Sequence, residues 1–163
     1  MGEFSLTGFA THLAALTAKI VVAEYEALEH AARIVEHEAK DAIGTYQSES
    51  GPFVAWAELA DSTKADRVAK GFAEDEPELR TGDLRDSIHH TVRMAVLGEA
   101  EAHIGSDSDI MVYQELGTAK MPPRSILGGA AARKEAKVVE VLGGEVVAVL
   151  MGQGVHRGAL PIN

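Results

Sequence analysis

Apolar or small residues recur along the first part of the chain at Leu6, Phe9, Leu13, Leu16, Ile20, Ala23, Ala27, Ala31 and Ile34, in alternating steps of three and four. That spacing is one face of a helix, and it predicts a single long helix, or two end to end, from Ser5 to about Ile43. Ser5 or Thr7 supplies a cap at its start, and Gly44-Thr45 followed by Ser48, Ser50, Gly51 and Pro52 ends it. A rod of that size reaches about 60 Å at ~1.5 Å per residue, more than one small domain needs. The opposite face carries Glu24, Glu26, Glu29, Arg33, Glu36, Glu38, Lys40 and Asp41, with Glu29 and Arg33 spaced for an ion pair, and reads as a solvated surface. The apolar stripe therefore requires a partner, either the rest of this chain or a neighbouring copy.

Beyond Gly51 the pattern shortens. Phe53-Val54-Ala55-Trp56 is a small apolar patch, Asp61-Ser62-Thr63-Lys64 opens a short helix that runs to Gly71, and Glu74–Glu78 is a charged loop. Leu84 and Ile88 stand four apart in Thr81–Ile88, which predicts a brief helix or turn. His90–Leu97 and Glu101–Gly105 alternate loosely around Gly98-Glu99, the pattern of a hairpin. Ile110–Leu116 fits a strand or a short helix that brings Tyr113 inward. Ala130–Leu142 is rich in helix formers, Gly143-Gly144 breaks or kinks the helix, and Glu145–Met151, whose valines also suit a strand, is read as a second helical segment. The pattern adds up to an α+β chain with a long N-terminal helix, a small antiparallel sheet and a C-terminal helix. It divides into the helix at 1–50, a core with the C-terminal helix at 51–151, and a glycine-rich arm at 152–163.

The 163 residues carry 15 basic and 25 acidic side chains, a formal charge of −10, so the charge term that drives binding to a phosphate backbone is missing and direct nucleic-acid recognition is not expected. The absence of cysteine excludes disulfides, thiolate nucleophiles and thiolate-ligated metals, and fits a reducing compartment. No basic region precedes an apolar run at Met1-Gly2-Glu3-Phe4, and no run of about 18 apolar residues is evident, so neither secretion nor a membrane partner is expected. Aromatics make up only 5% of the chain, which leaves the core to aliphatic residues and makes the single tryptophan, Trp56, conspicuous. Its indole serves either as a core anchor or as an interface residue.

The densest stretch runs from Tyr113 to Leu127. Tyr113-Gln114-Glu115-Leu116-Gly117-Thr118 leads through a short spacer to Pro122-Pro123-Arg124-Ser125-Ile126-Leu127. A glycine that lets the backbone turn, two prolines that fix it extended and an arginine between apolar neighbours predict a rigid corner suited to docking. Arg124 is placed either at a contact between subunits, as a planar multi-donor group, or as a stitch to its own domain through Glu115. The residues expected at an interface are Trp56, Tyr113, Glu115, Gly117, Pro122, Pro123, Arg124 and Leu127.

Two blocks, Thr81-Gly82-Asp83-Leu84-Arg85-Asp86-Ser87-Ile88 and Gly117-Thr118 with Met121-Pro122-Pro123-Arg124, lie in an order that also takes in Trp56, Leu59, Ile104-Gly105 and Tyr113. Over roughly residues 50–142 this arrangement resembles the tailed-bacteriophage neck and tail-completion proteins, including the virion-morphogenesis family of tail components. The resemblance implies a small virion structural protein without catalytic activity or cofactor. It further implies a sixfold ring at the head-proximal end of the tail, between tail-tube and head-connector proteins, made in the host cytoplasm. One departure stands out: members usually carry phenylalanine where this chain has Ser125 or Ile126. The rival readings are a tail terminator that caps tube growth, a small metal-dependent hydrolase, and an assembly chaperone absent from the virion.

Candidate chemistry elsewhere is thin. His30 and His37 lie beside Glu26, Glu29 and Glu36, but a metal site in a helical bundle draws inward ligands from several helices with Glu-x-x-His spacing, which this helix lacks. Asp107-Ser108-Asp109 lacks the further oxygens of a calcium loop and reads as a turn. His89, His90 and His103 are expected at partly exposed strand positions, and Ser87 has no nucleophile elbow around it. Gly152-Gln153-Gly154 lacks the strand and helix of a nucleotide site.

Overall fold

The computed structural model describes residues 5–94 and 99–152. Helix α1 spans Leu6–Ala42 without interruption. Ser5 caps it by accepting a hydrogen bond from the Gly8 amide at 3.0 Å, and at its far end Gly44 turns the chain out at φ +101° while donating to the Pro77 carbonyl at 2.8 Å. The described elements that follow are α2 (Asp61–Ala69), α3 (Asp83–Asp86), β1 (Ile88–Met94), β2 (Ala100–Ser106), α4 (Asp109–Leu116) and α5 (Leu127–Leu150). The fold is α+β, with the long N-terminal helix, the antiparallel two-stranded sheet and the C-terminal helix that the pattern predicts.

The strands pair with Ile88 opposite Ser106 and Met94 opposite Ala100. Along β1 the alternation turns Ile88, His90 and Val92 inward and His89, Thr91 and Arg93 outward. The sheet lies against α1. The core joins Val35, Ala39, Ala42 and Ile43 at the end of α1 to Trp56, Leu84, Ile88, Met111, Ile126 and Ala130. α5 therefore starts beside the end of α1, and because its Val141 and Val149 are buried far along it, it runs back antiparallel to α1. The small side chains of Ala23, Ala27, Ala31 and Ala39 line α1 where it is covered. At 24 residues against 37, α5 is shorter by about 20 Å at ~1.5 Å per residue, and the start of α1 projects past it.

Several expectations are corrected. α5 continues through Gly143 and Gly144 as one helix without a break, because its buried residues on both sides of the pair hold it against the rest of the chain. Ile110–Leu116 is helical and its inward residue is Met111; Tyr113 points outward, 56% exposed. The acidic face of α1 is not simply solvated. Glu38 pairs with Arg133 at 2.5 Å and with Lys134 at 3.3 Å on α5, and Glu36 binds Lys40 at 2.5 Å and also His90. α1 also contains an 18-residue window long and apolar enough to cross a membrane by length and composition, 6% of it buried. A count of unbroken apolar residues misses it because Thr7, Gly8, Thr11, His12, Thr17 and Lys19 interrupt the run. The Gly98 turn, Met1–Phe4 and the arm from residue 153 onward lie outside the described residues.

Candidate functional site

The corner is built on Gly117, whose φ of +71° follows the last turn of α4. A Cβ there would stand 2.8 Å from the Pro123 nitrogen and 2.9 Å from the Met121 carbonyl, so backbone conformation and space both demand glycine. Thr118 and Met121 then exchange backbone hydrogen bonds at 2.8 and 3.2 Å, closing a tight turn that pushes Pro122 and Pro123 into solvent. The chain returns when the Arg124 amide donates to the Gln114 carbonyl at 2.7 Å.

Arg124 then points inward and is 5% exposed. Its guanidinium donates to the Ala57 carbonyl at 2.9 and 3.3 Å, to the Glu58 carbonyl at 3.4 Å and to the Glu78 carboxylate at 3.0 Å. The expectation of Arg124 at a subunit contact is thereby corrected: its donors are consumed inside the chain, and the stitch runs to Glu78, not Glu115. Glu78 adopts a left-handed backbone, φ +63°, unusual for a residue with a side chain. Burial holds its carboxyl above the usual range despite Arg124 and Arg67 beside it. Arg67, also buried, donates to the Ala73 and Leu79 carbonyls at 2.7 and 2.5 Å and fixes the loop that delivers Glu78.

Glu115 serves the corner in another way. Its carboxylate accepts from Ser125 Oγ at 2.6 Å and from the Leu127 amide, while Ser125 Oγ accepts from the Gly129 amide at 3.2 Å. Together they satisfy free amides at the start of α5 and place a negative charge at its positive end. The ring of Phe53 covers this helix start so closely that a Cβ on Gly128 would stand 2.5 Å from it. Ser125 thus works as a capping residue for α5.

The set expected at an interface therefore divides. Trp56 and Arg124 are buried, and Glu115, Gly117 and Leu127 are half-buried supports. Tyr113, Pro122 and Pro123 are exposed. Beside them the outer face of α4 exposes Ile110, Val112 and Leu116, the last at 76%, an apolar edge on a rigid base. A cleft of 640 Å³ opens alongside, lined by Thr81, Gly82, Leu84, Met121 and Pro122 together with Glu78 and Arg124.

A second polar cluster escaped sequence reasoning. His90 on β1 reaches α1, its Nδ1 bonded to Glu36 and its Nε2 3.2 Å from Glu29. Both ring nitrogens face carboxylates, which favours the doubly protonated imidazolium. The His90 pKa is raised, with burial opposing its two carboxylate partners, and both carboxyls are held low: Glu29 chiefly by His90, Glu36 by Lys40 and His90 against burial. The findable signal was the inward position of His90 in the strand alternation; its partners, 54 and 61 residues away, had none. Among the described residues no group of three or more His, Asp or Glu side chains is placed to hold a metal, and His37 pairs with Asp41 at 2.8 Å.

Compared with known proteins, the chain matches no family model, no curated protein and no solved structure.

Proposed function

We propose that the protein is a phage virion structural component that assembles as a ring at the neck or tail end, completing the tail and joining it to the head. The observation that carries the reading is the meeting of the two sequence blocks on which the phage resemblance rests. Thr81–Leu84 and, from the second block, Met121, Pro122 and Arg124 lie far apart in sequence yet line one cleft, next to the exposed apolar edge of α4. A buried Arg124–Glu78 pair beneath this surface gives it a fixed shape, and fixed shape suits docking more than turnover. The work is mechanical: the α4 edge and Pro122-Pro123 would meet a neighbouring virion protein, tail-tube or head-connector, while copies of the chain close the ring, as a sixfold tail would require. The acidic surplus would keep a passing genome from adhering.

The test is assembly of phage particles without the protein. The reading expects filled heads and finished tails that fail to join, and the protein detectable by mass spectrometry in intact virions. Infectious particles without it, or virions from which it is missing, would end the proposal.

A further inference from the structure

The stripe that α1 buries against the rest of the chain through Ala23, Ala27 and Ala31 continues in phase through the half-buried Ile20 and Leu16 to Leu13, Phe9 and Leu6, which lie exposed. Its residues change from small to large at that point, and Leu6, Phe9 and Leu13 are 89%, 51% and 45% exposed. Residues 5–22 hold one charged side chain, Lys19, in a chain of formal charge −10. The arm can therefore approach another copy without adding like charge.

A second uncovered apolar row lies on the outer face of α5. Val139, Val147 and Leu150 are all more than half exposed, and the row spans about 17 Å, against about 15 Å for Leu6 to Leu16 at ~1.5 Å per residue. Between the valines the helix carries Gly143 and Gly144, each costing roughly 1 kcal/mol relative to alanine in a helix. No described atom lies within 4 Å of where either Cβ would stand, so packing within the subunit does not demand them. The face also exposes Glu135, an acid that Lys19 of an incoming arm would meet, and Glu140, which Lys137 of the same helix bridges at 3.1 Å. Because α1 is one continuous helix extending past the end of α5, an arm cannot fold onto the outer face of its own α5.

We infer that the arm of one copy, residues 6–20, docks by its Leu6-Phe9-Leu13-Leu16 row on the Val139-Val147-Leu150 face of α5 in the next copy. Large side chains meet a flat, valine-edged helix face, and opposite charges meet beside them. The contact is heterologous, patch A on patch B, and such contacts propagate into closed rings when the rotation allows. The inference rests on the self-association in the proposed function and specifies its seam.

The lack of native cysteine permits a direct test. Full-length Leu13→Cys and Gly143→Cys proteins, each first checked to melt no lower than the parent, are mixed and treated with a short bismaleimide. The expected product is a mixed dimer, abolished when Phe9→Glu is added to the Leu13→Cys chain, with association weakened about 100-fold for the loss of a central apolar anchor. Linkage of Leu13→Cys only to itself would mean arm-on-arm pairing and would overturn the seam. So would absence of any product, or flotation of monomeric protein with phosphatidylcholine–phosphatidylglycerol vesicles, which would assign the arm to a membrane. If no mixed dimer forms yet the unmodified chain still sediments as an oligomer, the seam is wrong while the ring survives.

Discussion

The two halves of α1 are one helix with one apolar stripe and opposite circumstances. From Ala23 onward the stripe is mainly alanine, with Ile34 and Val35 among the buried residues, packs against α5 and the sheet, and is flanked by acids tied to other elements through Arg133, Lys134 and His90. Before Ala23 it is built of Leu, Phe and Ile, is mostly uncovered, and has no acid at all from residue 5 to 22. Side-chain size records the partner. Alanines permit the close approach of a helix already present, whereas large exposed residues are what a surface keeps for something still to arrive. The same contrast separates the corner from the arm: the corner commits its arginine to internal order, while Leu6, Phe9 and Leu13 of the arm stay exposed.

The contrast breaks most sharply at Arg124. Arg124→Ala should destabilise the isolated subunit by about 3–5 kcal/mol, since it strands Glu78 in the interior. Glu78, with a carboxyl pKa raised by burial, takes up a proton more readily than an ordinary carboxyl, so the loss measured by urea denaturation should be smaller near pH 4 than at pH 8. A variant that folds as well as the parent at both pH values would return Arg124 to the surface. Gly117→Ala comes next, at about 1–3 kcal/mol, for a left-handed φ and a Cβ pressed on backbone atoms; the melting temperature reads it. Gly143→Ala should go the other way and stabilise the monomer by about 1 kcal/mol, because the helix gains propensity and meets no neighbour.

The smallest expected effect tests the covered half of α1. His90 has a raised pKa, so its contribution is full below the ordinary histidine value of 6.5 and is lost as pH rises through the folded value. Glu29 and Glu36 have lowered pKa values, so theirs is present above 4.5 and lost as pH falls through the folded values. The clamp is strongest between those limits. His90→Gln should therefore cost stability at pH 5.5 and little at pH 8; equal cost at both would show that the imidazole acts by shape alone.

Much of this fold was legible in the sequence, for physical reasons that also mark where legibility stopped. α1, the hairpin and α5 announce themselves because a period repeated over many residues outweighs local noise. Eight residues were too few to settle α4, and the outward turn of Tyr113 depended on Met111 finding the core first. Gly143-Gly144 signalled a break that tertiary packing overrode. The corner's shape followed from Gly117, Pro122 and Pro123, but the direction of Arg124 did not, because its partners lie 46 and 67 residues away in loops without periodicity. Glu78 offered no warning that it would adopt a left-handed backbone beneath the corner.

The central claim is that the uncovered half of α1 is completed by another copy of the chain. Sedimentation velocity across a concentration series, on the full chain and on Phe9→Glu/Leu13→Glu, tests it most directly. The account predicts that the full chain grows to a closed multiple of its 17.3 kDa mass, while the variant stays monomeric and keeps its stability within about 0.5 kcal/mol. A full chain that remains monomeric throughout, or a variant that assembles as well as its parent, would contradict it.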